Sequence, residues 1–461
     1  MPGYLNFGII QSALSATQQA INVTSNNVAN ATTPGYRRQE AVLDEISPAS
    51  DGKIGSTNFA IIGNGVRLDA VMRAQTNFVD RQLRASNGDS EYSSSLSKSL
   101  SQVESCLAEP GTSGISAALD KFWNSWNDLS TSPESPAVRA TVISSGQTLA
   151  NRLNNLYMNI KNAQSGTDDV LTDDVKQINE ITHRIGDLNA QITDVLSSGA
   201  QPNNMMDQRD QLLDQLSGLV GIQVNGNDQS GIIVSVAGRT IIQGSQVSDL
   251  ETQTGAGGNL SVCWKSDGTP INLTTGSMKG VLDARSTMEG YVTNLNTFTQ
   301  ELINRVNTLH SSGMDLTGTQ AGNFFAGTDA STIAVDPTIL NSPSKLAAAG
   351  STAPGDNSVA VALAGVKDEV MPALGNVSLT SSYANFVTQI GGDVKKATSD
   401  NEVNSLNQKQ LTAQRESISG VSMDEEMMNM MKFQQSYSAA ARVFSVISSM
   451  MDTTINMAGN R

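Results

Sequence analysis

Histidine and cysteine are scarce in this sequence, with two of each among 461 residues. His183 and His310 do not form an HExxH pattern, so a histidine-based catalytic or metal site is not indicated. Cys106 and Cys263 lie far apart and predict neither a disulfide framework nor a cysteine-based metal site. A P-loop pattern for phosphate binding does not occur either. We therefore expect no enzymatic activity and no cofactor.

An excess of basic charge and long apolar runs are also missing. Lys and Arg total 29 against 44 Asp and Glu, which argues against a broad surface that neutralises nucleic-acid phosphates. No apolar run approaches the ~18 residues of a membrane span, and the first residues lack the basic segment of a secretory signal. We therefore expect protein partners, without nucleic acid or membrane, and no conventional export route.

The first 36 residues contain no Asp, Glu, Lys, Arg or His. At a charged fraction of 16%, such a run arises by chance with a probability of roughly 0.002. Apolar and threonine side chains recur at 3,4 spacing from Phe7 to Val28, which predicts a helix whose opposite face is Gln, Ser and Asn. That face suits packing against other chains, where an unpaired charge would be costly. A helix docked on its own domain is the alternative.

A second long helix is predicted near the other end, after Gly420. Ser422-Met423-Asp424-Glu425 reads as a capping box, and apolar positions then repeat with 3,4 spacing. Neither terminal helix has an apolar face wide enough to stand alone, so we expect residues 1–40 and 420–461 to pair as a coiled coil. Eight of the 17 methionines lie in the second segment, which indicates either an adaptable packing surface or simple core filling.

The periodicity between the two ends changes several times, which predicts an α+β fold. Two separate helices are predicted at 136–162 and 168–196, and Trp123 and Trp126 are expected to anchor a core. We divide this part of the chain into an extended connector at 41–75, a helical-bundle body at 76–220, 276–312 and 377–419, an inserted β-domain at 221–275 and a mixed surface lobe at 313–376. Because the β-domain leaves and re-enters the same body, we expect that it can be removed without unfolding that body.

Four segments carry a resemblance to a known family. Residues 25–37, SNNVANATTPGYR, resemble the N-terminal signature of the bacterial flagellar rod, hook and hook-associated proteins. Residues 122–130 (FWNSWNDLS), 206–217 (MDQRDQLLDQLS) and 420–426 (GVSMDEE) are similar to segments of the hook-associated branch of that family.

The resemblance implies a structural flagellar subunit, an adaptor that connects the hook to the filament and is needed for filament growth. It implies a ring of identical subunits in a helical tube, with hook protein, a second junction protein and an export chaperone on the C-terminal helix as partners. Export through the flagellar type III apparatus would make the protein extracellular. Flagellin, a hook subunit or a surface-exposed adhesin are the alternatives.

In that picture the paired terminal helices form the inner wall of the tube. The subunit interface is then expected to include Phe7, Ile10, Leu14, Gln18, Ile21, Asn26, Asn27, Asn30, Thr33, Gly35, Tyr36, Met430, Phe433, Gln434, Tyr437, Phe444, Ile447 and Met451.

Overall fold

The computed structural model describes residues 3–46, 63–107, 109, 111–112, 114–227, 231–255, 260–353 and 355–459. It confirms the predicted α+β class with long terminal helices that pair. Its helices are α1 (Gly3–Asn30), α2 (Asn77–Cys106), α3 (Ile115–Thr131), α4 (Pro136–Ser197), α5 (Asn203–Leu219), α6 (Ser277–Ser311), α7 (Pro337–Asn341), α8 (Ser358–Gly365), α9 (Leu379–Ser419) and α10 (Met423–Gly459). Within the described ranges, none of these helices is long and apolar enough to cross a membrane.

Small antiparallel sheets interrupt the helices. The strands are β1 (Gln39–Glu45), β2 (Val66–Arg73), β3 (Ile222–Asn227), β4 (Gly231–Val236), β5 (Arg239–Gln243), β6 (Gln246–Val247), β7 (Leu250–Thr254), β8 (Leu260–Trp264), β9 (Phe325–Ala326) and β10 (Ala334–Val335). Strands β3 to β6 form one sheet in sequential order, and β1–β2, β7–β8 and β9–β10 form two-stranded pairs.

The first hydrophobic core lies among α2, α3, the first half of α4, α6, α8 and α9. The ring centroid of Phe324 lies 5.6 Å from that of Phe122 and 5.5 Å from that of Trp126. Trp123 and Trp126 are both buried, as their spacing on one helix predicts for core anchors.

Helix α4 runs without interruption through 62 residues, so the prediction of two separate helices between 136 and 196 is wrong. Gly166 lies at the predicted break, but an interior glycine costs a helix only about 1 kcal/mol relative to alanine. Packing against α6 outweighs that cost: the amide of Gln164 donates to Glu289 at 2.8 Å. The first half of α4 packs in the first core, and its second half packs in a second core.

The second core joins the β-region to the later half of α4 and to α5. Ile178 and Leu216 are buried there with Val234, Ile242 and Trp264 of the β-region. Because the helices and the sheet bury each other, removal of the sheet would expose apolar helix faces. This shared core argues against the independence of the β-region that the sequence suggests.

Residues 313–376, predicted as a mixed surface lobe, contain β9, β10, α7, α8 and short 3-10 turns. Phe324, Phe325 and Leu346 from this segment are buried in the first core. The side chain of His310 near the end of α6 holds the segment through backbone groups, since its Nε2 accepts from the N–H of Ala347 at 2.9 Å. The segment thus completes the helical body, although elements this short leave no periodic signal in the sequence.

Two segments at the base of the terminal helices lie next to the body, and we call them the crossings. The first is residues 31–38, between α1 and the β1–β2 hairpin that packs on α1, and the second is residues 415–422, from the end of α9 to the start of α10. Strands β1 and β2 pair antiparallel, with an irregular register at Val42. Part of the predicted connector, residues 47–62, lies outside the described residues.

Candidate functional site

Helices α1 and α10 pack against each other. The ring centroid of Phe7 lies 4.8 Å from that of Phe444, which places the two predicted apolar stripes in contact within one subunit. Half-buried members of the predicted interface are Phe7, Ile10, Leu14, Ile21, Asn30, Tyr36, Met430, Phe433, Phe444, Ile447 and Met451. Exposed members are Gln18, Asn26, Thr33, Gly35, Gln434 and Tyr437.

A second face of α10 carries exposed apolar side chains that the sequence-based interface did not include. Val443, Val446, Met450 and Met457 follow i, i+3, i+7 and i+14 spacing, so they share one side of the helix. Their exposed fractions run from 49% to 72%. We call these residues, together with the exposed Met428 on the same side, the outer apolar face. The concentration of methionines in this segment is the signal from which the sequence could have predicted it.

The buried side chain of Asn27 joins four parts of the chain. Its amide nitrogen donates to the carbonyl of Gln39 at 2.8 Å and to the Glu426 carboxylate at 3.0 Å. Its oxygen accepts from the hydroxyl of Tyr36 at 2.8 Å and from the backbone N–H of Gln39 at 2.9 Å. Asn27 is one of the predicted interface residues, but its side chain is buried inside the subunit. The four hydrogen bonds use the full capacity of its amide, so none is left for a neighbouring subunit.

Arg37, at the end of the signature segment, forms the other internal anchor. It pairs with Asp80 of α2 through two parallel hydrogen bonds of 2.8 and 3.0 Å. Its second guanidinium nitrogen also lies 3.4 Å from Asp210 of α5. The side chains of Arg37 and Asp80 are 6% and 7% exposed, so this bidentate pair is shielded from solvent.

Three aspartates of α5 meet four arginines from other elements. Asp207 and Asp210 bind Arg73, at 2.8 and 3.0 Å, at the end of β2. Arg84 of α2 reaches Asp214 at 2.9 Å, and Arg415 of α9 also pairs with Asp214. Asp207, Asp210 and Asp214 are spaced i, i+3 and i+7, so they form one row along α5, which we call the acidic row.

Burial and charge act in opposite directions on these carboxyl groups. Burial alone would raise the pKa of Asp210, but Arg37, Arg84 and Arg73 outweigh it and hold the pKa below its usual range. At Asp207 burial wins, and the pKa is raised in spite of Arg73. The pKa of Tyr36 rises to about 12 through burial, with Asp207 and Glu426 adding to the shift. The arrangement is a structural ion-pair network, because each of the three aspartates lies beside at least one arginine.

Two segments that resemble the family separately in the sequence therefore meet in space. They are residues 25–37, which we call the signature segment, and residues 206–217, which we call the DQRD segment. Gly35 adopts a φ of +79° beside Gln211 of α5, in the left-handed region that favours glycine. Among the described residues, no group of three or more His, Cys, Asp or Glu side chains is placed to hold a metal ion.

Comparison with known proteins gives several independent matches to flagellar proteins. The helical-domain model of the flagellar hook-associated protein FlgK matches residues 100–325. A flagella basal body rod protein model matches residues 9–37, and a model of the C-terminal region of flagellar basal body rod FlgEFG proteins matches residues 413–457. The chain is 30% identical to flagellar hook-associated protein 1 of Bacillus subtilis, over 99% of this chain and 98% of that protein. The chain belongs to the flagellar hook-associated protein 1 family.

Other relatives agree with this membership. Flagellar hook-associated protein 1 of Escherichia coli is 26% identical over 97% of the chain and 98% of that protein. The structure of the flagellar hook junction protein FlgK from Burkholderia pseudomallei matches with a TM-score of 0.67 and 17% identity, covering 73% of this chain and 100% of that one. The resemblance to the flagellar rod, hook and hook-associated proteins is thereby confirmed, and with it a structural junction role in the flagellum.

Proposed function

We propose that this chain is the subunit that connects the flagellar hook to the filament, and that it assembles as a ring whose inner wall is the pair α1 and α10. The outer apolar face of α10 carries this proposal. Val446 and Met450 are 50% and 62% exposed, whereas Met278 and Met288 of the helical body are fully buried. Contiguous apolar exposure on one helix is typical of a surface that another chain covers.

The composition of α1 supports the same assignment. Its exposed positions, among them Gln11, Gln18, Gln19 and Asn22, are uncharged. In a tube each subunit pair is surrounded by neighbouring pairs, so a charge at these positions would be desolvated without a partner. Amides can instead bond to backbone or side-chain groups of the adjacent subunit.

The partners that we propose are further copies of this chain, the hook protein, a second junction protein and an export chaperone that binds α10. The proposed location is extracellular, on the flagellum, after export through the flagellar type III apparatus. The relatives are structural flagellar proteins, and we propose that this chain likewise carries out no chemistry. The predicted interface residues other than Asn27 remain part of this proposal, as do the predicted domain boundaries, although the β-region and residues 313–376 share hydrophobic cores with the helical body.

Replacement of one methionine on α10 tests the assembly surface. Met450→Lys places a charge on the outer apolar face, and Met158→Lys places the same charge on α4 of the body at a similar exposure, 53% against 62%. Each variant would be expressed in a strain that lacks the native gene. Electron microscopy should show hooks without filaments for Met450→Lys and normal filaments for Met158→Lys. Normal filaments in both strains would contradict the proposed surface.

A further inference from the structure

The two crossings are bonded to each other and to the same face of α5. The backbone N–H of Arg38, in the first crossing, donates to the carbonyl of Ser419, in the second, at 2.9 Å. The Arg38 guanidinium also lies 3.0 Å from Glu425 in the first turn of α10. The terminal helices therefore leave the body as one unit and not as two independent chains.

The acidic row binds one arginine from each crossing. Asp210 faces Arg37 of the first crossing at 3.4 Å, and Asp214 pairs with Arg415 of the second. Asp207 adds a contact from its carboxylate to the backbone N–H of Arg37, at 3.4 Å. The three aspartates of the acidic row thus bind both crossings.

The same row is anchored to the body. Arg84 of α2 binds Asp210 and Asp214, at 3.4 and 2.9 Å, so the aspartates cannot follow the crossings if these move. The side chains of Arg37, Arg73 and Arg84 are all less than 10% exposed. A different angle between the terminal helices and the body would separate buried opposite charges, which is unfavourable because each then lacks both water and a partner.

We propose that the acidic row of α5 fixes the angle at which the terminal helix pair leaves the helical body. This inference rests on the proposed function, since a ring needs the same angle in each subunit. Buried ion pairs select one geometry among alternatives of similar apolar burial, because only that geometry pairs all of the charges. Asp210 and Asp214 are positioning residues in this mechanism.

Distance measurements on the isolated full-length chain test this proposal. Spin labels would be placed at two exposed positions, Ala85→Cys on α2 and Asn429→Cys on α10, after Cys106→Ser and Cys263→Ala remove the native thiols. Double electron–electron resonance should give one narrow distance distribution for the otherwise native chain. Asp210→Asn, which keeps the shape and removes the charge, should at least double the width of that distribution.

Three controls separate orientation from stability. A label pair within the body, Ala85→Cys and Gln191→Cys on α4, should keep its width in Asp210→Asn. Asp173→Asn, at an exposed aspartate that pairs with Lys176 on the surface of α4, should change neither distribution. Asp210→Glu restores the carboxylate and should bring back most of the narrow distribution.

Should Asp210→Asn fail to fold, Asp214→Asn serves as the milder variant, because this side chain is 20% exposed. It should also widen the terminal-to-body distribution alone. A single narrow distribution in both folded variants, equal to the native one, would overturn the proposal. That result would leave the proposed function intact, since filament assembly by the native chain is measured separately.

Discussion

The side-chain amide of Asn27 donates a 3.0 Å hydrogen bond to the carboxylate of Glu426, across 399 residues of sequence. Both groups are buried, at 1% and 3% exposure. Glu426 lies in the first turns of α10, where a carboxylate also favours the positive end of the helix dipole. One amide near the end of the first helix thus helps to fix the beginning of the last.

Removal of this amide should loosen the start of α10. Asn27→Ala leaves the Gln39 peptide group, the Tyr36 hydroxyl and the Glu426 carboxylate without their buried partner, at a cost of about 2–4 kcal/mol. Hydrogen exchange should accelerate in the first turns of α10 and in β1. Asn26→Ala is the matched control: its side chain is exposed and accepts a hydrogen bond from Asn30 within α1, so exchange should be unchanged. Equal exchange in both variants would contradict a special role of Asn27.

The buried His310 should make stability sensitive to acid. Burial lowers its pKa to about 4, and in the neutral ring Nδ1–H donates to Gly322 while Nε2 accepts from Ala347. The unfolded chain takes up this proton near pH 6.5 and the folded chain only near pH 4, so the contribution is retained above 6.5 and lost as the pH falls between these values. We expect a loss of about 3 kcal/mol across that window.

A comparison of the native chain with one histidine variant isolates this contribution from the titration of carboxyl groups. His310→Gln cannot titrate, and its amide can still donate to Gly322 and accept from Ala347. Its free energy of unfolding, measured by urea denaturation between pH 7 and pH 4, should fall less than that of the native chain. Parallel curves for the two proteins would refute the assignment.

Two glycines of α4 should respond in opposite ways to alanine. A Cβ on Gly166 meets nothing within 4 Å, so Gly166→Ala should stabilise the protein by about 0.5–1 kcal/mol through helix propensity. A Cβ on Gly146 would lie 2.8 Å from the buried ring of Phe324 and 3.4 Å from Phe122. Gly146→Ala should therefore destabilise by about 1–3 kcal/mol through overpacking. Thermal denaturation of the two variants gives the signs directly.

The shared second core predicts that damage to the sheet spreads to the helices. Val234 and Ile233 are neighbours on β4, but Val234 is fully buried and Ile233 is 36% exposed. Val234→Ala should cost about 1.5–2.5 kcal/mol and accelerate hydrogen exchange in α5, whereas Ile233→Ala should change both by much less. If exchange in α5 does not respond to Val234→Ala, the sheet is an independent unit, as the sequence suggested.

Local features of this protein could be predicted because they depend on the spacing of nearby residues. The two terminal helices follow from repeats of three and four residues, and the β-region follows from the alternation around Ile232, Val234 and Val236. The signature and DQRD segments indicated the family, because whole segments of sequence match. The break expected near Gly166 was wrong, since local propensity cannot register the packing of α4 on α6.

Only the tertiary structure decided which distant groups meet. Arg37 pairs with Asp80 and Asp210, and Arg415 pairs with Asp214, although no spacing rule connects these positions. Asn27 lies inside the subunit and six of the eight methionines of α10 are exposed, because the pairing of α1 with α10 covers one side of each helix and leaves the other. A sequence pattern states that a helix has an apolar side, but the path of the rest of the chain determines what covers it.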